Sequence, residues 1–250
     1  MAAILVELRE HGSVEVSDLA ARFGVSPATL RRDLTLLEDQ GLLTRKYGVA
    51  IATDAAPEVP VVYRDRRSRA QKRAVAETAA ALLPHGPQTV GFTGGSTTAE
   101  IARALATRVD LVVVTNALTI AMELALKPRI RVVVSGGVAR TQSTELVGPW
   151  AETALSQATI GTAYVGVDGL DEDGITTHDP VEARTNAALI QRAERVIVVA
   201  DSSKVGLRYP GVMAQLSSVH TLVTDPGLSA SAFEMIAQQG VEVVIAADST

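Results

Sequence analysis

Hydrophobic residues recur at two different spacings along the chain, and the change of spacing divides it into two parts. In residues 1–52, apolar positions lie three or four residues apart, which predicts short helices over residues 2–10, 18–23 and 27–40. The run LLTRKYGVAIA that follows contains two short apolar segments around a Tyr-Gly pair, which is typical of two paired strands. Residues 53–68 carry two prolines and no period, and we interpret them as a linker.

Capping residues fix the ends of the predicted N-terminal helices. Ser17 and Ser26 each precede a helical pattern, and a serine hydroxyl accepts a hydrogen bond from an otherwise unpaired helix amide. Pro27 suits the first helical position, and Gly41 is expected to end the third helix. Leucines at 30, 34 and 37 should then form its buried face.

The second part alternates continuous Val, Ile and Leu runs with helical patterns. Strands are predicted at residues 89–93, 111–115, 130–135, 163–167, 195–200, 220–224 and 241–245, and helices at 70–83, 97–106, 118–126, 150–157, 181–192 and 230–239. Continuous apolar strands are buried on both faces, as in parallel sheets. The predicted fold class is therefore α/β, with a helical N-terminal domain (1–52), a linker (53–68) and a doubly wound, mostly parallel domain (69–250).

The composition excludes some kinds of site and makes others unexpected. The chain has 250 residues, a net charge of −5 and no cysteine, so disulfides and thiolate metal sites are excluded. No two of its four histidines are three or four residues apart, so we expect no metal site, and nothing in the sequence calls for a cofactor. It lacks a signal-peptide pattern and any apolar run near the roughly 20 residues of a membrane span, so we expect a cytoplasmic protein with no membrane partner.

The order helix, turn, helix and two-stranded wing matches a winged helix-turn-helix, in which the second helix of the pair enters the DNA major groove. The predicted DNA contacts are Ser26, Ala28, Thr29, Arg31, Arg32, Arg45, Lys46 and Tyr47. Six basic and eight acidic residues give residues 1–55 a net charge of −2, which is low for a DNA-binding segment. A small helical bundle with a solvated charged face therefore remains an alternative at this point.

The run VSPATLRRDL, followed by Leu37-Glu38 and Gly41, resembles the DNA-binding domain of DeoR-family transcriptional regulators. Two features depart from that family. Its wing usually reads His-Gly-Gly-Ala, whereas this chain has Tyr-Gly-Val-Ala at residues 47–50. The family also usually has several residues, basic ones among them, before the position of Ala2, so we expect a start upstream of Met1.

A loop rich in glycine and hydroxyl residues separates the first strand and helix of the second part. It reads TGGSTT, residues 93–98. Glycines let a ligand approach the backbone, and the free amides at a helix N-terminus attract anions. No lysine follows, so this is not an ATP-binding Walker loop. A phosphate cradle and an ordinary glycine turn with a Ser/Thr cap are equal alternatives for the loop taken alone.

Four further loops should lie at the same edge of the sheet, since each follows a predicted parallel strand. They contain Asn116, the pair Gly136 and Gly137, the pair Asp168 and Gly169, and Lys204. Converging polar loops at the carboxyl ends of parallel strands are the usual ligand site of such folds.

Several of these stretches, including GFTGGSTTAEIARAL, VVVSGGVAR, YVGVDGLDEDG and VIVVADSSKVG, resemble the DeoR C-terminal effector domain. That fold is similar to ribose-5-phosphate isomerase and glucosamine-6-phosphate deaminase. The resemblance implies a phosphate held by residues 95–98 with help from Lys204, and a sugar near Asn116, Gly136 and Asp168. The predicted effector site comprises Thr93, Gly94, Gly95, Ser96, Thr97, Thr98, Asn116, Gly136, Gly137, Asp168, Gly169, Glu182 and Lys204.

Two carboxylates leave an enzyme as the alternative function. Asp168 begins a stretch that looks like the isomerase Asp-Gly-Ala-Asp motif, and Glu182 stands where such an enzyme could carry its base. The isomerase's glycine-rich stretch is replaced here by TTHDP. We therefore predict no catalytic residue and interpret Glu182 as a ligand contact or a helix-start acid.

The predicted function is a sequence-specific transcriptional regulator of carbohydrate metabolism genes, expected to act as a repressor. Its expected partners are operator DNA, a phosphorylated sugar effector and further copies of itself, as a dimer or tetramer. A sugar-phosphate isomerase or deaminase with an accessory helical domain is the alternative.

Overall fold

The computed structural model describes residues 1–39, 41–52, 60 and 69–247. The chain forms two compact units, Met1–Arg67 and Ser68–Thr250. The predicted linker lies outside the described residues apart from Pro60, and so does Gln40 at the predicted end of the third helix.

The described part of the first unit is a three-helix domain with a small antiparallel sheet. Its helices are α1 (Ala2–His11), α2 (Val16–Phe23) and α3 (Pro27–Asp39), and its strands are β1 (Ser13–Glu15), β2 (Leu43–Lys46) and β3 (Val49–Ala52). The strand order is β1-β3-β2. The sequence predicted β2 and β3; β1 has only three residues and therefore shows no period.

Leucines at helical spacing form the core of this unit. Leu30, Leu34 and Leu37 are buried on α3, as predicted, and pack in one cluster with Leu5 and Leu19. The Ser26 cap is confirmed, because its Oγ accepts the Thr29 amide at 3.2 Å. The Ser17 cap was wrong: α2 begins at Val16, and the Ser17 hydroxyl donates to Glu15 instead.

A tight hairpin turn joins β2 to β3. Tyr47 and Gly48 have φ values of 49° and 82°. Two consecutive residues with positive φ are the signature of a type I′ turn, whose twist suits paired strands. This turn leaves the Tyr47 side chain fully exposed at the tip of the wing.

The second unit has a doubly wound architecture. Its described helices are α4 (Arg69–Ala81), α5 (Ser96–Leu105), α6 (Leu118–Leu124), α7 (Pro149–Ser156), α8 (Pro180–Ile190) and α9 (Ala230–Gln238). Its described strands are β4 (Gln88–Phe92), β5 (Leu111–Thr115), β6 (Ile130–Val134), β7 (Val138–Arg140), β8 (Glu145–Val147), β9 (Ile160–Gly166), β10 (Gly169–Asp171), β11 (Gly174–Thr177), β12 (Ala193–Val199), β13 (Gly211–Ala214), β14 (Thr221–Thr224) and β15 (Glu242–Ile245).

Seven of these strands form one parallel sheet in the order β15-β14-β12-β9-β4-β5-β6. All seven correspond to predicted strands. The inner strands are buried, whereas the outer strands β6 and β15 are partly exposed. The remaining strands form a β7-β8 hairpin and a three-stranded sheet in the order β10-β11-β13. They were missed because they are short and alternate with glycine and polar residues.

The topology creates a crevice at one edge of the sheet. The chain runs from β4 to β5 on one side and later adds β9 on the other side of β4. In such sheets, ligands bind outside the carboxyl ends of the strands where the order reverses. The TGGSTT loop after β4 and the Asp168 loop after β9 both start at this point. No helix in the described ranges is long and apolar enough to span a membrane.

Candidate functional site

The N-terminal half of α3 presents an exposed polar face. Ser26, Ala28, Thr29, Arg31 and Arg32 are all exposed, while the leucines on the opposite side of the helix are buried. Within the described residues, no ion pair engages either arginine. The structure therefore brings the five predicted helix contacts together on one accessible surface.

The wing arginine has a different environment. Arg45 donates from Nε and Nη2 to Glu38 Oε2 at 2.8 and 2.5 Å, and its backbone amide donates to Glu38 Oε1 at 2.9 Å. These hydrogen bonds hold the pKa of the Glu38 carboxyl below its usual value. Arg45 thus ties β2 to α3, whereas Lys46 and Tyr47 remain exposed.

In the second unit, the TGGSTT loop leads directly into α5. Gly95 is the N-cap with φ 131°, a value that favours glycine. The amides at the start of an α-helix have no intrahelical acceptor, so those of Ser96, Thr97 and Thr98 point out of the helix end. The Thr98 hydroxyl donates to the Gly95 carbonyl at 2.9 Å, and Thr93 Oγ1 accepts the Gly166 amide at 3.0 Å. These two threonines hold the loop in place.

A carboxylate lies against the same loop. The Gly94 amide donates to Glu145 Oε1, and a Cβ at position 94 would meet the Glu145 side chain at 2.6 Å. Glycine is therefore required at 94 for close approach of this side chain. Gly94 is one of the predicted effector contacts, but its amide already donates a hydrogen bond to Glu145.

Glu145 belongs to a buried chain of polar groups. Asn116 Nδ2 donates to Asn186 Oδ1 at 2.9 Å, and Asn186 Nδ2 lies 3.5 Å from Glu145 Oε1. Burial, and then the nearby negative charge of Glu182, raise the pKa of Glu145 well above its usual value. Asn116 is thus placed within the cluster, although its side chain is fully buried.

Asp168 follows β9 and is held by three groups. Its Oδ2 accepts from the Thr177 hydroxyl at 2.9 Å and lies 2.7 Å from His178 Nδ1. Lys204 Nζ lies 3.8 Å from Oδ1. The His178 ring packs on Tyr209 with centroids 3.9 Å apart, which fixes its position. Lys204 therefore reaches the crevice, with its charge opposed by Asp168.

Glu182 lies in the first turn of α8 and combines two roles. Its Oε2 pairs with Arg140 Nη1 at 3.0 Å, and its Oε1 lies 2.7 Å from the Thr177 hydroxyl. One hydroxyl proton can serve only one acceptor fully, so Thr177 bridges the carboxylates of Asp168 and Glu182. Burial raises the pKa of the helix cap Asp179, but the amides of Glu182 and Val181 and the Arg140 charge outweigh it and hold that pKa low.

The predicted glycines have structural functions. A Cβ at Gly169 would lie 2.3 Å from the Leu207 carbonyl oxygen, and one at Gly137 would lie 2.9 Å from the Val147 carbonyl oxygen. Gly136 has φ 70° and an open neighbourhood. Gly137 and Gly169 thus permit close backbone approach, which shapes the crevice without offering a side chain.

Sequence reasoning missed several members of this cluster. Arg140, Glu145, Thr177, Asn186 and Tyr209 come from the small sheets, α8 and the loop before β13. The only signal was weak: Glu145 directly precedes two apolar residues, and a glutamate is seldom buried in a strand. The described residues contain no group of three or more His, Asp or Glu side chains that could hold a metal ion.

Two known domain families account for the two units. Residues 1–56 match the DeoR-like helix-turn-helix domain, and residues 67–226 match the DeoR C terminal sensor domain. This pairing defines a DNA-binding protein with an attached sensor. The chain belongs to the DeoR family of transcriptional regulators.

Proteins that align with nearly the whole length of this chain are named as transcriptional regulators or repressors. The "Putative aga operon transcriptional repressor" of Escherichia coli O157:H7 is 36% identical over 97% of this chain and 91% of its own. The "HTH-type transcriptional regulator GlpR" of Haloferax volcanii is 36% identical over 92% of this chain and 90% of its own. The "Glycerol-3-phosphate regulon repressor" of Escherichia coli K12 is 30% identical over 96% and 95%. The chain is accordingly a transcriptional regulator, and the isomerase or deaminase alternative is set aside.

Solved structures overlap part of the α/β fold at low identity. Ribose 5-phosphate isomerase from Plasmodium falciparum is 14% identical, covering 54% of this chain and 52% of that chain with a TM-score of 0.40. RipA from Yersinia pestis is 15% identical, covering 68% and 52% with a TM-score of 0.46.

Proposed function

We propose that this regulator binds operator DNA through α3 and the wing, and that a phosphorylated sugar bound at the carboxyl edge of the parallel sheet controls that binding. One observation carries the sensor half of the proposal. α5 begins at Ser96, directly after β4 at the strand crossover, and Lys204 lies 3.8 Å from Asp168, which follows the neighbouring strand β9. Free amides and a nearby ammonium group suit a phosphate dianion.

The other end of the crevice suits a sugar. Asn116, Asp168 and Glu182 supply buried oxygen atoms, and Arg140 and His178 supply nitrogen atoms, at the same edge of the sheet. A sugar's hydroxyls both donate and accept hydrogen bonds, so they can use both kinds of group. Relatives named for the aga operon and the glycerol-3-phosphate regulon support control of carbohydrate genes and action as a repressor.

Binding of the effector is tested by thermal stabilisation with pairs of phosphorylated and unphosphorylated sugars. A ligand at 100 times its Kd should add about 2.7 kcal/mol of stability. We expect stabilisation by a phosphorylated member only, and its reduction in Ser96→Ala and Lys204→Ala. Lys127→Ala, an exposed lysine away from the crevice, is the matched control. Equal stabilisation by both members of every pair would contradict the phosphate site.

DNA recognition is tested at the start of α3. Arg31→Ala or Arg32→Ala should weaken binding to an operator duplex, recovered by selection from a random library, by about 1–3 kcal/mol if the side chain contacts a base. Fluorescence anisotropy measures this change. Arg131→Ala, an exposed arginine on β6, should leave the affinity unchanged. Wild-type affinity in both α3 variants would remove the assignment of α3 as the recognition helix.

The proposal includes a homo-oligomer. A single helix-turn-helix makes few base contacts, and two-fold operators match dimers whose recognition helices lie about 34–36 Å or a multiple of that apart. Effector binding would act by favouring an arrangement with a different separation, provided that it binds the two arrangements with different affinity. Sedimentation equilibrium on the full chain distinguishes monomer, dimer and tetramer.

A further inference from the structure

Glu145 is a buried acid in the crevice that, unlike Asp168 and Glu182, has no basic side chain paired with it in the described part of the chain. Its side chain is almost completely buried, with 1% relative exposure. Glu182 pairs with Arg140 at 3.0 Å, and Asp168 has Lys204 at 3.8 Å. Among the described residues, no lysine, arginine or histidine forms an ion pair with Glu145. A negative charge on Glu145 would therefore be uncompensated, which is costly inside a protein, so burial favours the protonated acid and raises its pKa.

Two acceptor atoms next to the TGGSTT loop have no hydrogen-bond donor in the described part of the chain. They are Glu145 Oε2 and Asn116 Oδ1. Both side chains contact the same residue, Asn186, which fixes the orientation of the two amides in one chain of hydrogen bonds. Buried acceptors are almost always satisfied in native proteins. A proton shared with the Glu182 carboxyl can satisfy Glu145, whereas Asn116 Oδ1 has no donor in the described part of the chain.

The backbone leading to Glu145 is strained. Thr144 has φ 57°, and a β-branched residue rarely adopts a positive φ. The Thr144 carbonyl accepts the Leu118 amide at 3.0 Å and its own amide donates to the Arg140 carbonyl at 2.8 Å, so neighbouring segments hold this conformation. Strained residues of this kind cluster at functional sites, and the next residue, Glu145, contacts Gly94.

We propose that Glu145 and Asn116 bind a protonated amine of the effector, so that the ligand class is an amino-sugar phosphate. An ammonium group has three donors and a positive charge, so it can satisfy both orphaned oxygens and compensate the Glu145 carboxylate. A hydroxyl has one donor and no charge. This inference rests on the proposed phosphate site, because it places the amine beside the loop that holds the phosphate.

Glu145 can also be satisfied without a ligand. Glu145 lies close to the Glu182 carboxyl, and burial together with that neighbour raises the pKa of Glu145. Without ligand, the two acids can share a proton. The ammonium then takes the place of that proton, which passes to the solvent, so the net charge of the site stays constant on binding.

The experiment compares sugar phosphates that differ only in an amine or a hydroxyl at one carbon. Glucosamine-6-phosphate with glucose-6-phosphate and galactosamine-6-phosphate with galactose-6-phosphate are the probes, titrated calorimetrically into the full-length chain. We expect one amine-bearing member to bind about tenfold or more tighter than its hydroxyl counterpart, as charge-assisted hydrogen bonds predict. Equal or weaker binding of both amines overturns the inference.

Glu145→Gln tests the residue itself, because it keeps the shape and removes the charge. We expect this variant to bind the amine and hydroxyl members of a pair with nearly equal affinity. It should still bind both, because the proposed phosphate site is unchanged. Glu194→Gln, an exposed glutamate on β12, should keep the wild-type preference. An amine preference that survives Glu145→Gln overturns the inference.

A second variant and the pattern of binding distinguish failure of this inference from misfolding and from failure of the proposed phosphate site. If Glu145→Gln lowers the melting temperature, Asn116→Asp provides the second variant: it adds a carboxylate beside Asn186 and should increase the preference for the amine. If sugar phosphates bind without preference for an amine, this inference fails alone. If none of the sugar phosphates binds and none stabilises the chain, the proposed phosphate site fails with it.

Discussion

Gly169 shows how closely the residues of the crevice are packed. It follows Asp168 and lies at the start of β10, directly opposite the backbone of Leu207. A methyl group there would lie 2.3 Å from the Leu207 carbonyl oxygen and 2.8 Å from the Thr176 hydroxyl oxygen. Both distances are far below contact distance, and one partner is backbone that cannot rotate away. The absence of a side chain at 169 thus allows the loop carrying Lys204 to approach Asp168.

Gly169→Ala should therefore destabilise the second unit. Forcing atoms into a packed site costs typically about 1–3 kcal/mol. Each kcal/mol corresponds to roughly 2–4 °C in melting temperature for a protein of this size. Differential scanning calorimetry measures the shift.

Gly161→Ala is the matched control, since a Cβ in this β9 position meets its nearest atom, the Thr89 carbonyl oxygen, at an ordinary 3.5 Å. If the two variants melt at the same temperature, the close approach at Gly169 does not constrain the fold.

At the scale of elements, Arg45 links the wing to α3. Glu38 accepts both the Arg45 guanidinium and the Arg45 backbone amide. Both side chains are partly exposed, and such surface pairs contribute little to stability, so we infer that this pair serves to fix the angle of the wing. The sequence placed Arg45 among the DNA contacts, and the structure adds this second role as a positioning residue.

The two roles of Arg45 predict opposite effects for Glu38→Gln. If Arg45 positions the wing, Glu38→Gln and Arg45→Ala should weaken operator binding to a similar extent and leave its salt dependence close to wild type. If Arg45 contacts phosphate, Glu38→Gln frees its charge and should not weaken binding. Lys46→Ala is the reference for a phosphate contact and should lower the salt slope by about one. Anisotropy titrations over a range of salt concentrations give both quantities.

The elements also show what the sequence could predict. The seven strands of the parallel sheet were predictable because most contain a continuous apolar run, such as LVVVT at 111–115. The β10-β11-β13 sheet was not, since its strands are three or four residues long and their pairing depends on contacts between residues far apart in sequence. Short strands carry too few residues to establish a period.

For the whole molecule, the positions of the loops were predictable and their internal contacts were not. Parallel topology alone brings the loops after β4, β5, β9 and β12 to one edge, so Ser96, Asn116, Asp168 and Lys204 could be grouped from sequence. Arg140 and Glu145 come from a hairpin whose placement over that edge depends on tertiary packing. The partners of each predicted side chain therefore emerged only from the structure.

In the proposed function, occupancy of the sensor unit controls DNA binding by the helix-turn-helix unit. Coupling between two sites is reciprocal, so it is measurable from either side. The decisive measurement is the operator Kd of the full-length chain, by anisotropy, with and without a saturating concentration of the phosphorylated sugar that stabilises it.

We predict that the sugar changes the operator Kd by about fivefold or more, as is typical of allosteric coupling, and that operator DNA changes the Kd of the sugar by the same factor. The unphosphorylated sugar should change neither value. A phosphorylated sugar that saturates the sensor unit and leaves the operator Kd unchanged would contradict the account.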